Sequence, residues 1–211
     1  MDKTKLAVDL FNHYANDYQN KYMDVSGYHE TLDLFCKSIE NKNAKILELA
    51  CGPGNITKYI LDKQPNFNIL ATDLAPEMLK LAKENNPKAD VRIMDCKGIS
   101  QLKAQYDGII CGFGLPYLTK EETIKFINDS SRALVKGGVI YLSTMEDDYE
   151  KSSLKSSSDG KHQLFMHYHE ANYLLDSLTS SGFKILHEIR QDFPEKDQSI
   201  TTDLIIIAEK L

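Results

Sequence analysis

The segment Glu48-Leu49-Ala50-Cys51-Gly52-Pro53-Gly54-Asn55 is where residue types and spacing first suggest chemistry. Two glycines permit a tight turn and leave no Cβ in the way of a ligand approaching the backbone, and a helix N-terminus following the turn offers free N–H groups to a nucleotide or a carboxylate. By itself, such a turn also reads as a plain strand-to-helix connection. Asp73 lies 21 residues after Gly52, close to the roughly 20-residue offset at which an acid meets adenosine ribose hydroxyls. Asp95, followed by Cys96, ends the next strand-like run. A carboxylate there can accept from the adenine exocyclic amine while the main chain at Cys96 reads the ring; a helix N-cap or a solvated loop acid is an equally good reading of that acid. Leu74 and Met78 are spaced to sandwich the ring, although Met78 also shares helical spacing with Leu81 and Ala82, as core residues do.

The elements that must position these residues alternate. Leu32, Phe35, Cys36 and Ile39 recur at i, i+3, i+4, i+7 and give an amphipathic helix ahead of a strand over residues 45–50. After the glycine turn, Ile56, Tyr59 and Ile60 mark a helix, residues 66–73 a strand, and Pro76 the first turn of a helix with Met78, Leu81 and Ala82 inward. Residues 89–94 and 106–111 are strand-like, the second run apolar as in a strand buried on both faces. Thr119 and Glu122 form a capping box for a helix with Ile124, Ile127 and Leu134 inward; Gly137-Gly138 is expected to close it before a strand over 139–144. Strands alternating with helices imply right-handed crossovers and a doubly wound α/β fold with a mainly parallel sheet. The Ser-, Asp- and Lys-rich residues 146–161 suggest a loop, an inserted hairpin or a lid. After a helix marked by Ala171, Leu174, Leu175 and Leu178, two β-rich runs at 183–189 and 203–208 suggest an antiparallel edge hairpin.

Taken together, Glu48-x-x-Cys51-Gly52-x-Gly54-Asn55, then Asp73-Leu74-Ala75-Pro76-Glu77-Met78, then Asp95-Cys96 resemble the class I S-adenosylmethionine-dependent methyltransferases, of the small-molecule type with a methyltransferase domain. The resemblance implies a Rossmann-like, seven-stranded sheet with helices on both faces and S-adenosylmethionine as cofactor. It further implies that the turn at Glu48, Ala50, Cys51, Gly52, Gly54 and Asn55 faces the methionine end, that Asp73 takes both ribose hydroxyls and that Asp95 reads adenine. Phe11-Asn12-His13-Tyr14-Ala15-Asn16-Asp17-Tyr18 resembles the family's N-terminal helix, in which Tyr18 would bond the cofactor carboxylate; Tyr14, Tyr18 and Tyr22 at i, i+4, i+8 are explained by packing too. Cys111-Gly112-Phe113-Gly114-Leu115-Pro116-Tyr117-Leu118 occupies the loop where cofactor and acceptor meet, with Cys111 and Gly112 toward the cofactor and Phe113 and Tyr117 toward the acceptor. Thr57 stands where a dinucleotide fingerprint requires Gly or Ala, which disfavours an oxidoreductase. The expected organisation is one domain over 1–211: a helical cap (1–43), a cofactor core (44–145), an insertion or lid with the acceptor region (146–168), and a C-terminal helix and hairpin (169–211).

The sulfonium methyl group is already activated, so the protein has to supply in-line placement, exclusion of water and sometimes a base. The base candidates are His167 and His169, in Lys161-His162-Gln163-Leu164-Phe165-Met166-His167-Tyr168-His169, with Tyr168 as a further acceptor contact. An extended segment would point both histidines to one face. No metal is expected, because the His-x-His pair lacks further ligands and Cys36, Cys51, Cys96 and Cys111 are scattered. The 211 residues carry a net charge of −6, which argues against a nucleic-acid or anionic-membrane partner and favours a small-molecule acceptor. With neither a signal-length apolar run nor a spanning segment, a cytoplasmic location is expected. The reading is a methyltransferase; a non-catalytic protein that holds the cofactor or adenosylhomocysteine is the alternative. Oligomeric state leaves no signal in the sequence.

Overall fold

The computed structural model describes residues 3–103, 105–156, 160–194 and 200–211. Two helices, α1 (Lys3–His13) and α2 (Ala15–Tyr22), precede α3 (His29–Ser38) and then β1 (Lys45–Leu49), α4 (Asn55–Lys63), β2 (Asn68–Asp73), α5 (Pro76–Asn85) and β3 (Asp90–Ile93). After a 3-10 turn at Cys96–Gln101 come β4 (Tyr106–Gly112), α6 (Lys120–Ala133) and β5 (Leu134–Glu146). A small hairpin of β6 (Ser153–Ser156) and β7 (Gln163–Met166) then leads to α7 (Ala171–Ser180), β8 (Phe183–Pro194) and β9 (Ile200–Lys210).

The seven-stranded sheet has the order β3-β2-β1-β4-β5-β9-β8. β1 to β5 run parallel, whereas β9 is antiparallel to both β5 and β8. The order reverses between β1 and β4, the place where an open α/β sheet leaves a crevice beyond its strand ends. Period-two alternation divides the core: Ile46, Ile69, Ile110 and Tyr141 face α3, α4 and α5, while Leu47, Leu49, Ile109 and Leu142 face α6 and α7. This is the doubly wound architecture read from the sequence. The four helix positions Leu32, Phe35, Cys36 and Ile39 are all buried.

Two local expectations need correction. Ile124 is 43% exposed, and the inner face of α6 is instead Thr123, Phe126, Ile127, Ser130 and Ala133. Phe126, Ile127 and Ala133 pack into the core, and Ile124 falls outside that buried stripe. Nor do Gly137 and Gly138 close α6, which ends at Ala133. They lie within β5, where Gly137 has φ +76° and a Cβ on Gly138 would meet the Val135 carbonyl oxygen at 2.9 Å. Glycine is required there because the chain re-enters the sheet through a left-handed step. The inserted segment forms the β6–β7 hairpin; the part of the serine run at 157–159 lies outside the described residues.

Candidate functional site

The turn after β1 is built from three left-handed residues, Ala50 (φ +54°), Gly52 (φ +53°) and Gly54 (φ +78°). Its ends are fixed by Cys51 N–H donating to Thr72 O and by Gly54 N–H donating to Cys51 O, both at 2.9 Å. The glycines serve different purposes. A Cβ on Gly52 would point toward Tyr18, with Cε1 at 3.7 Å, on the open side of the turn. A Cβ on Gly54 would come within 2.4 Å of Asn86 Nδ2 and 3.2 Å of Ala82 Cβ, so Gly54 exists for close packing against α5 and not for ligand approach. Asn86 Nδ2 donates to Gly54 O and Asn85 Nδ2 to Pro53 O, both at 2.9 Å, so the last residues of α5 and the one after it clasp the turn.

Beneath the turn, Thr57 Oγ1 donates to Glu48 Oε2, and burial pushes the Glu48 carboxyl up to about 8 despite that bond. Asp73 closes the other side. Its Oδ2 accepts from Gly52 N–H and its Oδ1 from Ala75 N–H, each at 2.9 Å. Burial raises its pKa, while the N–H donors of Ala75, Gly52 and Leu74 oppose the rise. A carboxylate has about four acceptor sites, so Asp73 keeps acceptor capacity for a ligand.

A cavity opens at this switch point. Its walls are Ala50 and Gly52, Asp73 to Ala75, Met78, Met94 to Lys97, Gly112 to Gly114, and Tyr117 with Leu118. The roof comes from Thr4, Ala7, Val8 and Phe11 of α1, with Tyr18 of α2. Phe11 meets Tyr117 edge-on at 5.3 Å and Tyr18 at 5.7 Å, which closes the cavity over the strand ends. The Asn12 side chain caps the start of α5 by accepting from Glu77 N–H at 3.0 Å.

Nine of the fourteen residues expected to hold the cofactor line this cavity: Tyr18, Ala50, Gly52, Asp73, Leu74, Met78, Asp95, Cys96 and Gly112. The expected acceptor contacts Phe113 and Tyr117 line it as well. Glu48, Cys51, Gly54, Asn55 and Cys111 lie behind the wall. Glu48, Cys51 and Cys111 are buried in the core, and Asn55 Nδ2 donates to Tyr22 O at 2.8 Å, tying α4 to the end of α2. Asp95 borders the cavity, and its Oδ1 accepts from Lys97 N–H at 2.8 Å, which is the N-cap reading. Phe113, at φ +54°, is held by Ser143, whose carbonyl and Oγ both accept its N–H at 3.1 Å.

His167, His169 and Tyr168 are not among the cavity-lining residues. The His169 ring is fully buried between Tyr173 and Leu115: Nδ1 pairs with the tyrosine hydroxyl, and Nε2 lies 2.8 Å from the Leu115 carbonyl. Burial lowers its pKa to about 4, so the ring is neutral and both its nitrogens are engaged. His167 is buried beside it, stacked on Tyr149 at 5.7 Å, and its pKa is also lowered by burial. Tyr168 is half-buried, with Lys155 Nζ 5.5 Å from its ring. Both histidine rings pack near Tyr149, with His169 also against Tyr173 of α7 and His167 against Phe165 of β7. Sequence reasoning missed the roof. Thr4, Ala7, Val8 and Phe11 stand at i, i+3, i+4, i+7, the spacing that reveals one face of a helix.

The model of a methyltransferase domain matches residues 46–138. An uncharacterized methyltransferase of Alkaliphilus oremlandii is 24% identical over 91% of this chain and 89% of its own length. The malonyl-[acyl-carrier protein] O-methyltransferase of Priestia megaterium is 35% identical over 52% of this chain, which spans only 41% of that relative. Among solved structures, magnesium protoporphyrin IX methyltransferase from Synechocystis superposes with a TM-score of 0.74 at 17% identity over 100% of both chains. An S-adenosylmethionine-dependent methyltransferase from Clostridium acetobutylicum superposes with a TM-score of 0.69 at 18% identity, over 95% of this chain and 99% of that one. A methyltransferase-domain model is thus matched across the turn, the two acids and α6, and the strand order, which opens a cavity at the switch point, is that of a fold shared with solved S-adenosylmethionine-dependent methyltransferases.

Proposed function

We propose that this chain transfers a methyl group from S-adenosylmethionine to a small-molecule acceptor within the roofed cavity. The observation that carries the reading is the Asp73 carboxylate, clamped at the cavity wall by the N–H groups of Gly52 and Ala75 with acceptor capacity left over. A fixed carboxylate with acceptor capacity to spare suits the hydroxyls of a ribose. Asp95 and the main chain at Cys96 suit the nucleobase, with Leu74 and Met78 as its apolar neighbours. Gly52 and Tyr18 suit the amino-acid end, since no side chain intrudes at Gly52 and the Tyr18 phenol stays protonated through burial. The residues present therefore fit the group.

When bound, S-adenosylmethionine supplies a methyl group already activated by a sulfonium. What the chain's own residues contribute is placement and dryness. Phe113 and Tyr117 border the acceptor end, and Phe113 is held in its left-handed conformation by Ser143. The α1 roof excludes water that would screen or compete with the reacting atoms. His169 holds the loop after β4 in place through the Leu115 carbonyl and takes no proton, because neither of its nitrogens is available. The acceptor is thus expected to bring its own lone pair, and the enzyme to work by positioning. A cavity roofed by α1 and Tyr18 favours a small acceptor over a folded macromolecule, as does the acidic charge balance.

Incubation with labelled S-adenosylmethionine and a panel of small amine, hydroxyl, carboxyl and thiol acceptors tests the proposal. Label in a small product, with adenosylhomocysteine formed in equal amount, is the expected outcome. Tight cofactor binding with no product across the panel would favour a protein that holds the cofactor without turnover.

A further inference from the structure

Lys97 has no counterpart in the motif read from the sequence, yet it sits at the busiest polar junction of the cavity. It follows Asp95 by two residues and lines the cavity with it. Its backbone N–H donates to Asp95 Oδ1 at 2.8 Å, and its Nζ lies 3.8 Å from Asp95 Oδ2. The same Nζ donates to Glu122 Oε1 at 3.3 Å and to Thr4 Oγ1 at 3.2 Å. Three elements therefore meet on one ammonium: the 3-10 turn after β3, the first turn of α6 and the α1 roof.

Glu122 cannot drift with the lysine. Its other oxygen, Oε2, accepts from Thr119 N–H at 2.9 Å as half of the α6 capping box. An ammonium has three N–H groups. Glu122 and Thr4 take two, and the pairing with Asp95 is electrostatic, beyond hydrogen-bond length. The lysine side chain thus stands beside Asp95 without donating a hydrogen bond to its carboxylate. Glu122 and Thr4 fix the direction of two of its three N–H groups.

That arrangement has a chemical consequence for a purine. An amino group at C6 donates to a carboxylate, whereas an oxo group there presents an acceptor and is repelled. A lysine free to swing would satisfy the oxo group and erase the distinction. We propose that Lys97 is a positioning residue for nucleobase selectivity, fixing the Asp95 carboxylate in place as an acceptor while its ties to Glu122 and Thr4 couple the α1 roof to that choice. The inference rests on the cofactor reading above and adds to it a residue, a partner set and a selectivity.

The experiment is calorimetric titration with adenosylhomocysteine and with its deaminated analogue, S-inosylhomocysteine, on the unsubstituted protein and on Lys97→Met, Lys97→Gln and Thr4→Val. Amide exchange of residues 4–11 is followed in parallel. The unsubstituted protein is expected to prefer the amino ligand by about 30-fold or more, as a site whose acceptor meets an acceptor rejects the analogue. In Lys97→Met that preference should shrink to roughly threefold, with adenosylhomocysteine affinity down about five- to tenfold, the size of a partly exposed charge network. Roof amides should exchange faster in the ligand-free Lys97→Met protein and in Thr4→Val alike. Lys97→Gln serves if the methionine variant does not fold. Retention of the full preference in a folded Lys97 variant overturns the inference, whatever happens to affinity, because a merely structural lysine would weaken both ligands equally. Binding of neither ligand by the unsubstituted protein overturns the cofactor reading instead, and this inference with it.

Discussion

Gly52 donates its backbone N–H to Asp73 Oδ2 at 2.9 Å, so the turn after β1 and the acid after β2 form one rigid unit at the centre of the sheet. A residue without a Cβ and a carboxylate 21 positions later are thereby fixed against each other before any ligand arrives. Preorganisation of this kind spares the ordering cost that binding would otherwise impose.

Asp73→Ala should weaken S-adenosylmethionine binding by roughly 1.5–3 kcal/mol, the usual size of a lost hydrogen-bond acceptor that is charged. Calorimetry on a variant whose circular dichroism matches the parent is the check. An unchanged affinity would remove Asp73 from the site.

Gly54→Ala should destabilise the fold by about 1–3 kcal/mol, since a Cβ there meets Asn86 Nδ2 at 2.4 Å and the residue must keep φ +78°. Urea unfolding measures it. Gly52→Ala has open space on the side where a Cβ would point, so it should cost less stability and more cofactor affinity. Equal effects on both properties from the two variants would contradict the division of labour between these glycines.

Glu48 makes stability depend on pH in a definite direction. Its folded pKa of about 8 lies above its ordinary value of 4.5, so the folded state holds a proton that the unfolded chain has lost. The contribution is complete below 4.5 and disappears as pH rises through 8. Glu48→Gln, which mimics the neutral acid, should flatten the decline in unfolding free energy across that window. An identical slope in both proteins would show that Glu48 ionises normally.

His169 acts with the opposite sign. Its folded pKa, about 4, lies below the ordinary 6.5, so its contribution is present above 6.5 and is lost as pH falls toward 4. Replacing the ring with Phe removes its hydrogen bonds to the Tyr173 hydroxyl and to the Leu115 carbonyl, which keeps its bond from Leu118 N–H, and should cost about 1–3 kcal/mol at pH 7.5. The penalty should narrow toward pH 4. Denaturation series at the two pH values, compared between parent and variant, measure both effects.

The parts of this molecule set by local spacing were legible in the sequence, and the parts set by long-range docking were not. The strand ends carrying Gly52, Asp73, Asp95 and Gly112 follow from alternating periodicity and turn chemistry, because each is determined within about ten residues. The phase of α6 failed at Ile124, because the packing of Phe126, Ile127 and Ala133 into the core decides which face is buried. The roles of Gly54 and Gly137 depend on what lies opposite them, namely Asn86 on another helix and a left-handed entry into β5, and a single chain position does not display either. His167 and His169 illustrate the same limit. Their packing near Tyr149, Phe165 and Tyr173, and not their spacing, keeps them out of the cavity lining. Lys97 was invisible for that reason too, since Thr4 lies 93 residues away and Glu122 25.

The most direct measurement is calorimetric titration of the purified protein with S-adenosylmethionine, adenosylhomocysteine and NAD. Micromolar binding of the first two, no heat from the third, and loss of that binding in Asp73→Ala are the expected results. Failure of both sulfur ligands to bind a folded protein, or binding of NAD in their place, would contradict the assignment of the cavity to S-adenosylmethionine.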